Sequence, residues 1–328
     1  QITDSMREGL LLLGQDHRIL SINPAAQTLF GTDRSCIGRD FLTVDRRSDI
    51  SAAVDAALTQ GHAQLRQQRQ GREYQIDLSR IDSGGEVFGA VLLAFDVTEQ
   101  AEAERMRREF TANVSHELKT PLQSIIGSVE LLENDLVQPE DRPRFLGRIH
   151  QEAQRLVSLI NDILGLSQLD EGAAMPRESV SLLSLAQEAA ASLSAAAQAQ
   201  NVTLTVNGTA GTLTGVRRLL SETVRNLCEN AVKYNVPGGS VTVTVAETPQ
   251  AVTLTVADTG IGIPPADQSR VFERFYRVDK SHSRAIGGTG LGLSIVKHAV
   301  AYHHGTVQLD STPGQGTVIT VTLPKDAA

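Results

Sequence analysis

The sequence predicts a multidomain protein of mixed α/β and α class: an α/β domain, then a helical hairpin, then an α/β sandwich. Three observations carry that prediction. At 328 residues with a hydrophobic fraction of 41%, the chain exceeds one ordinary domain and suffices for two or three cores. Short apolar strands bounded by turn residues fill both ends. The middle holds two long stretches of helical periodicity separated by one short break rich in Asn, Asp and Pro. Aromatic residues make up only 4% and tryptophan is absent, so the cores must be built from Leu, Val, Ile and Ala.

Residues 9–13 and 18–22 read as a hairpin around Gly14, Gln15 and Asp16. Residues 23–31 read as a short helix stopped by Gly31. Strands follow at 72–81 and 87–95, with turn chemistry at 82–85, so the first domain covers residues 1–97. From Thr98 to about Asn134 Pro121 is the one strong breaker; Ala103, Met106, Phe110 and Asn113 step by three, four and three, as in a coiled-coil entry. After a loop at 134–143, Leu146, Ile149, Ala153, Leu156, Ile160 and Ile163 form a 3-4-3-4-3 seam. A hairpin over residues 98–170 cannot bury both seams alone. It either pairs with a second copy into a four-helix bundle, a homodimer, or packs on its own chain. Residues 170–176 form a linker to a domain at 177–325. There helices are expected at 182–200, 217–234 and 291–303, strands at 202–206, 241–245 and 252–256, and a closing hairpin at 306–310 and 317–323. Mixed antiparallel strands with helices to one side make a sandwich.

The net charge of −8 and the lack of any Lys/Arg-rich run argue against a nucleic-acid partner. Cys36 and Cys228 fall in different domains, which disfavours a disulfide and favours a reducing compartment. No apolar run approaches the roughly 18–20 residues of a membrane span. The chain begins at Gln1 rather than Met, so it is read as the cytoplasmic portion of something longer, with upstream membrane anchors left open.

The most informative stretch runs from Phe110 to Leu122. His116 is a side chain whose unperturbed ionisation lies near neutrality, so its neutral ring is an available nucleophile. Glu117 can accept a proton from one ring nitrogen and leave the other free to attack. Thr120 lies one turn on, on the same helical face. Pro121 has no N–H for the carbonyl of Glu117, so a bend is expected there. Four further blocks follow. Asn226, Asn230 and Lys233 share one helical stripe at i, i+4 and i+7. Their amide oxygens suit a Mg²⁺ that keeps most of its water, and the lysine suits phosphate. Asp258 ends a strand, where it can accept the exocyclic amine of adenine, and Gly260 and Gly262 let backbone approach a flat base. Phe272, Phe275, Tyr276 and Arg277 put aromatics before a base, a pattern that a plain amphipathic helix would also give. Gly287, Gly288, Thr289, Gly290 and Gly292 open a helix whose freed N–H groups can bind an anion. Residues 280–286 ahead of them read as a mobile loop.

In this order the blocks resemble the H, N, G1, F and G2 boxes of sensor histidine kinases, over roughly residues 100–324. The resemblance implies a dimerisation and phosphotransfer domain followed by an ATP-binding domain of the Bergerat fold. It implies that His116 is the phosphoacceptor, Glu117 its orienting base, and Thr120 the group that positions water when a partner is dephosphorylated. It implies ATP and Mg²⁺ as cofactors, with Asn230 on the metal and Asp258 on adenine. Around the nucleotide it places Asn226, Asn230, Lys233, Tyr234, Gly260, Gly262, Arg277, Gly288, Thr289, Gly290, Leu291 and Gly292, with residues 276–289 as a lid. The implied partner is a response regulator with a receiver aspartate. Where the family often has an aspartate after the strand near Gly215, this chain has Val216.

The first domain is similar in element order to PAS sensor domains, and its placement resembles the PhoR/WalK-like kinases. An unidentified PAS ligand is therefore open. The segment around Gly38, Arg39 and Asp40 is similar to a flavin-binding one but lacks the reactive cysteine. His17 and His62 read as surface histidines, and His303 and His304 end a helix, where positive charge is favourable. A hydrolytic ATPase of the gyrase, Hsp90 and MutL type is the chief rival. Such enzymes place a glutamate four residues before the magnesium asparagine. Here that position is Asn226, an amide without useful basicity. A non-catalytic scaffold is the second rival.

Overall fold

Residues 3–83, 86–170, 175–278 and 288–325 are described by the computed structural model. Half of the expected 82–85 turn, most of the 170–176 linker, the 280–286 loop and Gly287 lie outside them. The chain divides into two compact units, residues 1–109 and 110–328.

In the first unit, strands β1 (Gly9–Gly14), β2 (Ile19–Ile22), β3 (His62–Arg69), β4 (Arg72–Ser83) and β5 (Glu86–Asp96) form an antiparallel sheet in the order β2-β1-β5-β4-β3. Helix α1 (Pro24–Phe30) is capped at both ends as its sequence demands. Asn23 Oδ1 accepts from Ala26 N at 2.9 Å, and Gly31 takes a left-handed φ of 65°, which costs glycine little. Helix α2 (Ser48–Gln60) and strand β3 were not foreseen. Leu11, Leu13, Ile50, Ile76, Leu78 and Leu92 make the core. Asp45 and Arg69 form a buried ion pair, with Gln67 bonded to the same guanidinium and the Phe30 ring 4.7 Å below it. Removing one partner of such a pair costs about 3–5 kcal/mol, because the other charge is left buried.

Helix α3 (Thr98–Glu133) runs without interruption through Pro121, so the proline does not end the helix. In the second unit the rest of α3 joins α4 (Arg142–Asp170). Seam residues Leu146 and Ile160 are exposed at 58% and 45%, whereas Leu159, Leu166 and Leu169 on another face of α4 are buried against their own chain. Part of α4 thus packs on its own chain, with the seam residue Ile163 among those contacts.

The remainder is a two-layer sandwich. Strands β6 (Glu178–Ser181) and β8 (Thr212–Gly215) pair as a small ribbon. The main sheet has the order β11-β12-β10-β9-β7, from β7 (Thr203–Gly208), β9 (Ser240–Glu247), β10 (Ala251–Asp258), β11 (Thr306–Thr312) and β12 (Gly316–Pro324). Its pairs are antiparallel except β7 with β9. Alternation dictates its sidedness. Val241, Val243, Val245, Val252, Leu254 and Val256 point to the buried face, while the intervening Thr242, Thr244, Thr253 and Thr255 do not. Helices α5 (Leu182–Ala199), α6 (Arg217–Lys233) and α8 (Gly292–Tyr302) cover that face, and a single turn, α7 (Pro265–Gln268), follows β10.

The first turn of α6 is held in an unexpected way. Val216 has no side chain to cap it, and the ring of His303 takes over: Nε2 accepts from Val216 N at 2.9 Å and Nδ1 donates to Ala299 O at 2.7 Å. His303 is fully buried, and burial lowers its pKa below the ordinary 6.5. The positive charge expected of His303 at this helix end is therefore absent, because an acceptor nitrogen facing an N–H must be neutral. Cys36 and Cys228 are both buried, and burial pushes the Cys228 thiol up to about 12.

Candidate active site

Helix α6 is amphipathic in the way a site-bearing helix needs. Leu220, Val224, Leu227 and Ala231 seat it in the core, and the adjoining stripe carries Asn226, Asn230 and Lys233. A cavity of about 590 Å³ opens along this stripe, within the range of small-molecule sites. Its walls include the end of β10, residues 261–263, residues 276–278 and the glycine segment that opens α8.

Asn226 Nδ2 is buried with no hydrogen-bond partner among the described residues. An orphaned buried donor costs about 1–3 kcal/mol, so the group is set for an acceptor such as a phosphate oxygen. Lys233 is pushed down to about 8 by burial, with Arg277 acting in the same direction and Glu229 against it. Its ammonium lies 5.4 Å from the centre of the Tyr234 ring, and burial raises the Tyr234 phenol. At the other end, Asp258 Oδ1 accepts from Gly260 N at 2.8 Å and Thr317 N at 3.2 Å. Oδ2 has no such partner among the described residues, and burial raises the carboxyl above the ordinary range. Gly262 lines the cavity with φ at 67°, and a Cβ there would run into the Thr312 carbonyl.

The glycine segment is shaped by its neighbours. Gly290 has φ of 73° and packs on the Phe275 backbone, whose N–H bonds to Gly290 O at 2.9 Å. Phe275 is itself left-handed at 63°. Residues 269–278 are accordingly turns, not the amphipathic helix their letters also allowed. Gly288, Thr289, Gly290 and Gly292 line the cavity. Gly260 and Leu291 do not. Gly260 spends its N–H on Asp258, and Leu291 is fully buried in an apolar cluster with Ile295, Leu159 and Leu166, onto which Phe110, Leu118, Ile163 and Phe275 pack.

His116 and Thr120 are exposed on α3, and Thr120 Oγ1 donates to His116 O at 3.2 Å. Neither lines the cavity. Glu117 touches its rim: Arg277 Nη2 lies 3.3 Å and Arg155 Nη2 3.7 Å from Glu117 Oε2. The carboxylate expected to orient His116 is therefore held by two guanidiniums instead. Arg277 is only 11% exposed.

Sequence reasoning missed Ser158 and Asp162, which reach the cavity from α4. Asp162 Oδ2 accepts from Thr289 Oγ1 at 3.1 Å. Burial pushes Asp162 up to about 6; Thr289 and Arg225 oppose that shift, while Glu222 and Glu229 add to it. Ser158 and Asp162 stand 68 and 64 residues ahead of Asn226 and carried no motif. Among the described residues no group of three or more His, Cys, Asp or Glu is placed to hold a metal, and no helix is long and apolar enough to cross a membrane.

Three family models match in succession. They are the PAS fold over residues 3–102, the His Kinase A (phospho-acceptor) domain over 106–172, and the histidine kinase-, DNA gyrase B- and HSP90-like ATPase over 215–327. The sensor-like histidine kinase SenX3 of Mycolicibacterium smegmatis is 39% identical over 72% of this chain and 62% of its own length. WalK of Bacillus subtilis is 38% identical over 73% and 40%, and WalK of Staphylococcus saprophyticus 32% over 97% and 53%. The chain thus spans about half the length of these curated relatives. Full-length ShkA in complex with AMPPNP superposes with a TM-score of 0.51 at 29% identity over 67% of this chain and 46% of that one. The kinase ThkA, solved with the response regulator TrrA, covers 99% of this chain and 98% of its own at 21% identity and a TM-score of 0.52, a likeness of fold.

Proposed function

The chain belongs to the sensor histidine kinases, and from that membership we propose that it transfers the γ-phosphoryl group of ATP to its own His116. The observation that carries the reading is the orphaned amide of Asn226. It stands in one cavity with Asn230, Lys233 and Arg277, at the position where a hydrolytic relative needs a carboxylate. An amide cannot take a proton from water. The γ-phosphoryl group is then left for another nucleophile, and an exposed imidazole stands on the helix whose next residue touches the cavity rim.

Asp258 reads adenine through its unspent oxygen. Asn226, Lys233 and Arg277 surround the phosphates, Tyr234 walls them, and the N–H groups of residues 288–292 add an anion cradle. Asn230 would hold Mg²⁺, which when bound supplies charge neutralisation between phosphates. One neutral nitrogen of His116 attacks the γ-phosphorus in line, the bond to the β–γ bridging oxygen breaks, and ADP leaves. The proton on the other ring nitrogen passes to Glu117, which must first leave Arg277 and Arg155.

The N–P bond so formed is a strong donor, and its acceptor is an aspartate of a response regulator docking on the hairpin. Thr120, one turn from His116, positions water for the reverse task, dephosphorylation of that regulator. The exposed seam of Leu146 and Ile160 pairs with a second copy, and the PAS domain supplies the input. Incubating wild type and His116→Gln with γ-³²P-ATP tests this. A kinase gains an acid-labile label in wild type alone; phosphate release without label, in either protein, would establish a hydrolase instead.

A further inference from the structure

Two carboxylates of the hairpin bond to residues that line the cavity. Asp162, on α4, takes the hydroxyl of Thr289 in the glycine segment at 3.1 Å. Glu117, on α3, takes the guanidinium of Arg277 at 3.3 Å. Thr289 and Arg277 line the cavity, and each faces an anion supplied by the phosphotransfer helices.

Asp162 is a costly choice for that place. It lines the cavity, and the α6 charges that act on it are the carboxylates of Glu222 and Glu229 and the opposing cation Arg225. Glu222 Oε2 is itself buried without a partner among the described residues. Burial and these like charges both disfavour the ionised form of Asp162. What holds it there is apolar: Leu159 and Leu166, on either side of Asp162 along α4, pack on Leu291 and Ile295 of the glycine segment and α8. The patch brings the domains together, and the two carboxylates then occupy the groups that ATP needs.

We propose that Asp162 and Glu117 compete with the phosphates of ATP for Thr289 and Arg277, so that the docked arrangement of hairpin and ATP-binding domain excludes bound ATP and ATP releases the dock. The inference rests on the kinase reading, which takes Arg277 and the glycine segment that carries Thr289 as the phosphate-binding groups. Release has a second effect. Glu117, once displaced from Arg277, is held by Arg155 alone, so arrival of the donor removes one of the two restraints that keep the base from His116. An occluded site lowers apparent affinity by the fraction of molecules that are open.

The test is ATP and adenosine affinity, by equilibrium dialysis, of wild type, Asp162→Ala, Thr289→Val and the double variant. Loss of one charge-assisted bond should tighten ATP about tenfold in Asp162→Ala. Adenosine, which carries no phosphate, should bind unchanged. The gain should vanish in the Thr289→Val background, because the latch partner is already gone. An equal gain in that background would reveal simple charge repulsion and overturn the latch, as would no gain at all in a wild type that binds ATP and labels His116. A wild type that binds no ATP overturns the kinase reading together with this one.

Discussion

On the proposed reading, in which Lys233 meets the phosphates, ATP affinity should depend on alkaline pH. The Lys233 ammonium is held at about 8 by burial and by Arg277, against an ordinary value near 10.4. The phosphates of ATP bring negative charge beside it and favour the charged form. Binding therefore takes up a proton wherever the free protein has lost one. With a pKa of about 8, the charged fraction falls from about 0.9 at pH 7 to about 0.1 at pH 9, so the apparent Kd should rise about tenfold over that window. The window lies above the second ionisation of phosphate, near 6, so ATP itself contributes little. Fluorescence titration with a non-hydrolysable ATP analogue at half-unit steps measures it. Lys233→Arg should bind with a flat profile, since a guanidinium does not titrate there, and Lys233→Met should bind weakly and flatly. A wild-type Kd that is constant from pH 7 to 9, or a slope that survives in Lys233→Met, refutes the reasoning.

Replacing Asp258 by Asn keeps an oxygen for the amides of Gly260 and Thr317 but sets an N–H against the adenine amine; ATP Kd should rise at least tenfold with the melting temperature little changed, and an unaltered Kd would remove Asp258 from base recognition. His303→Ala leaves Val216 N–H unsatisfied and should cost about 1–3 kcal/mol in urea unfolding. Because the folded pKa of His303 is depressed, its neutral form is favoured by folding: that contribution is complete above about pH 6.5 and is lost as pH falls below it, a slope that His303→Ala should abolish.

The parts of this molecule that obey local rules could be read from its letters. Asn23 and Gly31 announce both ends of α1, the Val/Thr alternation announces which face of the sheet is buried, and one helical stripe joins Asn226, Asn230 and Lys233. Helix α2 is equally legible, with Ile50, Ala53, Val54 and Ala57 at helical spacing before Gly61. Other features depend on partners far along the chain. The letters from Val271 to Arg277 suit a helix, and turns win because Phe275 is fixed left-handed by Gly290. Leu291 sits inside a glycine motif, and its side chain serves the hairpin rather than the nucleotide. Asp162 has no signature, since its partner Thr289 is 127 residues away. Gln67 and Arg69 look like surface residues of β3 until Asp45 and Phe30 close over them.

The ring that caps α6 arrives 87 residues after the amide it caps. Helix α6 is consequently not finished until the last third of its domain has been threaded, and the polar stripe it carries stays unset until then. Contacts of such long sequence separation are slow to form and tend to form together, so a chain cut before α8 should lose the nucleotide cavity outright rather than by degrees. Competence to bind ATP would then report that the whole C-terminal domain, down to its final hairpin, has been completed.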